Sequence, residues 1–153
     1  MRMKRLSTKG KWSLVWGLIA VLSLGMVSTA VKLNDSVKTE KLTTYDYEIG
    51  GLTSTGSENS SKGSIRTKDF IPTDGLEVAM SEKSEVTYRL YFYDADESFI
   101  SMQEAEQTGD YTFPSSGNSA AYVKVVITPT DDTEITLLEK GGYCDDIEVT
   151  YDK

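Results

Sequence analysis

The rhythm of apolar positions changes twice along the chain. Between Lys11 and Lys32 the segment "WSLVWGLIAVLSLGMVSTAV" carries no charge over 20 residues. "KLNDSVKTEKLTT" follows, polar and mixed in charge, and reads as a stalk over 32–44. From Tyr45 onward apolar residues recur at every second position, the period of half-buried strands.

That alternation predicts a series of short strands. "YDYEI" sets Tyr45, Tyr47 and Ile49 on one face, and "GGLTSTGSENSSKG" follows as a loop rich in Gly, Ser and Thr. "SIRT" and "DFIP" read as short strands, with Pro72 suited to an edge or a strand end. "LEVAM" points Leu76, Val78 and Met80 inward, and "VTYRLYFY" does the same with Val86, Tyr88, Leu90 and Phe92. "SFISM" is the expected hairpin partner of "VTYRLYFY", and "DYTF" ends at Pro114. "AYVKVVIT" points Ala121, Val123, Val125 and Ile127 inward, and "EITLL" and "DIEVTY" close the series. Only "SMQEAEQTGD" suits a helical turn. About nine or ten short strands separated by turn residues predict an all-β fold, an antiparallel sandwich or barrel. "YDYEI" and "DIEVTY" have matching patterns and are expected to lie side by side near the stalk.

As a helix at ~1.5 Å per residue, the apolar segment would span ~30 Å, the thickness of a bilayer's hydrocarbon core. Arg2, Lys4, Arg5, Lys9 and Lys11 precede it without an acid, which makes 1–11 a cytoplasmic tip and places the C-terminal part outside. Two readings stand. Residues 12–31 are an uncleaved transmembrane anchor, or they are a signal peptide with Leu14–Val27 as its apolar region and Ser28, Thr29 and Ala30 as its cleavage site. The length of the run favours the anchor, and the small residues favour cleavage. Either one exports a domain over 45–153, membrane-anchored or secreted.

Four pieces of that domain, "YEIGGLTSTGS", "GSIRTKDFIP", "YRLYFYDADESFIS" and "AAYVKVVITP", resemble a recurrent jelly-roll module. The module occurs in phage tail or receptor-binding proteins and in surface proteins of Gram-positive bacteria. The resemblance covers 45–151 and implies a sandwich like that of galactose-binding domains or carbohydrate-binding modules, with a non-catalytic binding or structural role. Its motifs mark structural positions, so they speak to fold more than to function. Many sugar-binding members use tryptophan platforms, whereas Trp12 and Trp16 both lie in the apolar segment.

Charge and side-chain chemistry narrow the function classes. Of 16 basic residues five lie in 1–31, which leaves 11 against all 24 acids in 32–153, a balance of −13. Phosphate binding needs a basic face, so nucleic acid is excluded as a partner. The chain has no histidine, the usual base near neutral pH and the commonest metal ligand. Cys144 is the single cysteine and reads as a small strand residue beside Tyr143. No phosphate-binding loop, nucleophile motif or cofactor signature is present, so no cofactor is implied.

Acid clusters need separate weighing. "DADESF" opens like a calcium loop at Asp94 and Asp96, but the sixth and twelfth positions of an EF-hand would fall on Phe99 and Ala105 in place of Gly and Glu. A hairpin turn is the expectation there, with a sandwich-type calcium site shared with another loop as the alternative. Asp131, Asp132 and Glu134, like Asp145, Asp146 and Glu148, read as solvated surface rather than as a hydrolytic pair. No catalytic or metal-ligating residue is therefore assigned.

The candidate ligand-binding set comes from the opposite face of the long strands. If Tyr88 and Leu90 point inward, Arg89, Tyr91 and Tyr93 point outward, and on the other long strand Tyr122 and Lys124 do so beside Val126. Should the two strands share a sheet, tyrosines and cations form one surface, able to stack on and hydrogen-bond a sugar or to anchor a protein. Plain cross-strand tyrosine packing is the alternative. The loop from Gly50 to Gly63 reads either as a further wall of such a site or as a flexible surface loop. The expected function is thus a non-enzymatic binding module, at a cell surface or on a phage-related particle, with a glycan or partner protein as ligand. A structural protein whose sandwich packs against itself or other particle components is the second expectation.

Overall fold

A computed structural model describes residues 37–115 and 117–153. The basic tip, the apolar segment over 12–31 and most of the stalk lie outside the described residues. Among the described residues, no helix is long and apolar enough to cross a membrane.

Among the described residues the architecture is all-β and antiparallel, with one short α-helix. In chain order the strands are β1 (Thr39–Lys41), β2 (Tyr47–Ile49), β3 (Gly51–Leu52), β4 (Glu58–Asn59), β5 (Ile65–Thr67) and β6 (Ile71–Pro72). They continue with β7 (Glu77–Met80), β8 (Val86–Tyr93), β9 (Phe99–Met102), β10 (Tyr111–Thr112), β11 (Tyr122–Pro129) and β12 (Ile147–Asp152). Helix α1 (Lys140–Asp145) precedes β12. One sheet runs β1-β12-β7-β10, and a larger one runs β2-β5-β11-β8-β9 with β6 also paired to β11. β3 and β4 form a separate hairpin.

The two sheets enclose the main core in a sandwich-like arrangement. Leu76, Val78, Ile147 and Val149 belong to the first sheet or its margin, and Ile65, Val86, Tyr88, Leu90, Val123, Val125 and Ile127 to the second; all join one buried cluster. The inward rows expected of β7, β8 and β11 are these residues, with Met80 packed at the margin. Ala121 is the exception. It precedes β11 and is half-buried, while Ala120 enters the core in its place.

Five expectations are corrected. Thr39–Lys41, read as stalk, pair with Asp152–Thr150 and extend the first sheet as an edge strand. "YDYEI" does not meet "DIEVTY": β2 pairs with β5 in the larger sheet, while β12 lies between β1 and β7. The opening residues Thr44–Asp46 form a 3-10 turn, capped by Thr43 and Asp46 on each other, so Tyr45 turns to solvent. "SMQEAEQTGD" ends β9 and continues as a loop that bridges back to β8 at Tyr88 and Gln107, since backbone pairing there outcompetes a lone helical turn.

The fifth concerns "EITLLEK". Its I-T-L-L pattern suggests a strand, yet Ile135 alone is buried and Leu137 and Leu138 face solvent. Thr136 and Glu139 form reciprocal hydrogen bonds, Thr136 N–H and Oγ1 donating to Glu139 Oε2 and Glu139 N–H to Thr136 Oγ1. That T-x-x-E box starts a helical turn which α1 continues, with Lys140 N–H donating to Thr136 O. Gly141 and Gly142 hide the helix from a propensity reading. Cys144 therefore sits in α1 rather than in a strand, and burial pushes its thiol up to about 11.

Leu90 and Tyr47 are both almost wholly buried, but they contribute differently. Leu90 fills the inter-sheet space, while the Tyr47 hydroxyl is buried with no hydrogen-bond partner among the described residues and burial drives its pKa upward. Leu90→Ala is expected to cost about 2–5 kcal/mol. Tyr47→Phe is expected to leave stability unchanged or raise it by about 1 kcal/mol, because it removes a desolvated hydroxyl. Urea unfolding of residues 37–153 carrying each change measures both.

Candidate functional site

β8 and β11 do share a sheet, paired antiparallel over their whole length. The register sets Tyr122 opposite Tyr93, Lys124 opposite Tyr91, and Val126 opposite Arg89. The five residues singled out in the sequence therefore stand on one face, away from the inter-sheet core. β5 and β2 extend the last row, with Arg66 opposite Val126 and Glu48 opposite Arg66.

Most of that face is not open. Tyr91 is 4% exposed, Tyr93 3% and Lys124 4%. Tyr91 and Tyr93 form a second apolar cluster with Leu52 and Val126, flanked by Phe70, Phe99, Met102 and Tyr122. The β3–β4 hairpin and its turn are tied to these side chains. Tyr91 donates its hydroxyl to Leu52 O at 3.4 Å, and Tyr93 donates to Gly56 O at 2.9 Å. Gly56 has φ of +75°, and a Cβ there would collide with the Phe99 ring, so the turn requires glycine. Burial, with Tyr91 and Glu58 nearby, pushes the Tyr93 hydroxyl up to about 12.

Two buried cations hold the same hairpin. Arg66 donates from Nη1 to Gly51 O at 3.1 Å and to Asn59 O at 2.7 Å, and its Nη2 pairs with Glu48 at 2.7 Å and Glu58 at 3.0 Å. Lys124 Nζ reaches Glu58 at 2.7 Å and Lys68 O at 3.1 Å, and lies 4.8 Å from the centre of the Phe70 ring. Glu58 thus joins Arg66 and Lys124, and its hydrogen bond with Lys124 holds its carboxyl below the ordinary value. Tyr91, Tyr93 and Lys124 act as the hairpin's seat. Tyr122 and Arg89 remain partly exposed.

Beyond the edge of the hairpin the face opens into a groove of about 270 Å³. Leu52, Asn59 and Ser61 wall one side, Tyr91, Val126 and Thr128 line it, and Arg89 and Glu106 close the other. Thr87 Oγ1 donates to Glu106 Oε2 at 2.9 Å, which orients the carboxylate. The other oxygen stands 3.9 Å from Arg89 Nη2, beyond hydrogen-bond reach. The volume lies just under the ~300–1,000 Å³ of typical small-molecule sites, so the groove takes one small polar unit. A second groove, about 320 Å³, lies between the β6–β7 turn and the segment after β10, where Phe113 meets Asp74, Glu77 and Asn118.

The acid clusters have local structural roles. Asp94 Oδ1 accepts from Asp96 and Ser98 N–H, and Glu97 adopts φ of 61° to close the β8–β9 hairpin. Asp131 accepts from Thr133, and Asp146 accepts from Ser81 and the Glu85 N–H. Among the described residues, no group of three acidic or thiol side chains is placed to hold a metal ion.

Sequence reasoning offered the loop from Gly50 to Gly63 as a wall of a site without singling out Leu52 or Glu58 in it, and it missed Glu106. The strands "GL" and "EN" are two residues long, too short for a period to register. Glu106 is brought to Arg89 by a loop whose pairing with β8 has no sequence signature. Comparison of the chain with protein families, curated proteins and solved structures finds no match.

Because Glu58 compensates two cations that are nearly out of solvent, Glu58→Gln is expected to destabilise the fold by about 1–3 kcal/mol at neutral pH, a range reduced because the carboxylate is half exposed. Its folded pKa lies below the unfolded value of 4.5, so the contribution is complete above pH 4.5 and disappears as pH falls through the depressed value. Urea unfolding across pH 3–7 should show the gap between the two proteins close on the acid side, with those pH limits set by the usual carboxylate range of ~4.

Proposed function

We propose that this chain is a non-enzymatic binding module of jelly-roll type that takes a glycan in the Arg89 groove. The reading places the domain outside the cell, anchored through 12–31 or secreted, at a bacterial surface or on a phage-related particle. The observation that carries it is the arrangement of the outer sheet face. A hairpin locks down the tyrosines and stops short at Arg89, leaving a small polar recess over Tyr91 and Thr128. Hydroxyl, amide, guanidinium and carboxylate groups converge there on a rigid sheet, the composition with which a site orients a polar ligand.

A second reading is structural. Leu137 and Leu138 are 80% and 94% exposed, and consecutive leucines in water favour contact with another molecule. Under that reading the domain packs against itself or other components of an assembly, and its solutions oligomerise with concentration.

Residues 37–153 contain both sheets and both apolar clusters and form one compact unit. Screened as a soluble protein against glycans and cell-wall polysaccharides, they are expected to bind, and Arg89→Ala is expected to weaken binding about tenfold or more. Binding lost in Phe113→Ala but kept in Arg89→Ala would move the site to the second groove. No binding, with self-association in sedimentation that Leu138→Ser abolishes, would favour assembly.

A further inference from the structure

The spacing between Arg89 and Glu106 is unusual for an ion pair. At 3.9 Å the two heads are too far apart to hydrogen-bond. Thr87 fixes the carboxylate through its other oxygen. The Glu106 loop is fastened to the strand that carries Arg89 at two points. Tyr88 and Gln107 exchange backbone hydrogen bonds at 3.1 and 2.7 Å. Gln103 donates its N–H to Leu90 O at 2.9 Å and accepts the Leu90 N–H on Oε1 at 3.0 Å. The Glu106 loop is thereby fastened by pairing on both sides of Arg89. Arg89 Nε has no partner among the described residues either.

A guanidinium donates only and an ionised carboxylate accepts only. Set apart at the mouth of a recess lined by Thr128 and Ser61, they complement a group that accepts at one atom and donates at the next. Adjacent hydroxyls of a sugar ring do this, one oxygen accepting from Arg89 while the neighbouring O–H donates to Glu106. A ligand carboxylate or phosphate would satisfy Arg89 but would meet Glu106 as a like charge.

We propose that Arg89 and Glu106 form the two halves of a clamp for a vicinal diol, and that the groove takes neutral sugars that carry one. The inference rests on the glycan reading above and names its ligand class. Both residues touch the ligand, and the loop pairing at Gln103 and Gln107 with the Thr87 hydrogen bond pre-organises Glu106, which lowers the cost of ordering on binding.

The test uses residues 37–153 with the methyl glycosides of glucose, galactose and mannose as probes, beside the matching 3-deoxy glycosides, which have no vicinal pair of free hydroxyls. Amide shifts in ¹⁵N spectra locate and quantify binding. The expected result is that at least one intact glycoside shifts Thr87–Leu90 together with Glu104–Gln107, and that its 3-deoxy form binds about tenfold more weakly or worse. Glu106→Gln should weaken the intact glycoside and narrow its lead over the 3-deoxy form, whereas a merely structural role for Glu106 would leave that lead intact. A 3-deoxy glycoside that binds the wild-type groove as tightly as the intact one would overturn the clamp and leave glycan binding standing. Polysaccharide binding with no glycoside shift at these residues would also overturn it. A blank polysaccharide screen as well would remove the glycan reading itself.

Discussion

Eight consecutive cross-strand pairs between β8 and β11 are the constraint on which the rest of this domain depends. They form the centre of the larger sheet and decide which side chains meet the other sheet. Val86, Tyr88, Leu90, Val123, Val125 and Ile127 fall on one face and are nearly or fully buried. Because side chains alternate, a slip of one residue would exchange that face for Arg89, Tyr91, Tyr93, Tyr122 and Lys124. Two cations and three phenols in place of the core would be prohibitively desolvated, so the register has a strong physical lock.

The outer face then poses its own problem. It carries too much aromatic surface to leave in water and two cations that cannot be buried alone. The β3–β4 hairpin resolves both. Leu52 and the Gly56 turn cover the rings, and Glu58 supplies the charge that Arg66 and Lys124 need. The hairpin has only two residues in each strand, so its own ladder contributes little. Its position follows from side chains of the sheet beneath, which bind its carbonyls and its one carboxylate.

The hairpin's limited reach creates the groove. Where the cover ends, Arg89 is left with a distant carboxylate and a recess of hydroxyls beside it. A site formed by the uncovered margin of an otherwise sealed face lies on rigid strands, with its loop residue pinned to one of them. Precise placement of a few polar groups is favoured by such a support. The exposed Leu137 and Leu138 lie elsewhere, on the turn before α1, and belong to a separate question of contact with other molecules.

Periodicity alone determined the all-β class, the inward rows of β7, β8 and β11, and the side of the sheet on which Arg89, Tyr91, Tyr93, Tyr122 and Lys124 stand, because alternation is local and needs no partner. The turn at Asp94 was legible for the same reason, since Asx hydrogen bonds are made within a few residues. Pairing was not legible. β2 and β12 have the same pattern, and only the packed sheets separate them and recruit Thr39–Lys41 beside β12. Helix α1 lay hidden behind two glycines, although the Thr136–Glu139 box marked its start. Exposure was the furthest from reach. Whether an outward tyrosine meets water or a neighbour depends on a hairpin more than 30 residues earlier in the chain, as the Tyr91–Leu52 and Tyr93–Gly56 contacts show by their separations of 39 and 37. Such long-range closure is a property of the tertiary structure, and it turned a wide aromatic face into one narrow polar groove.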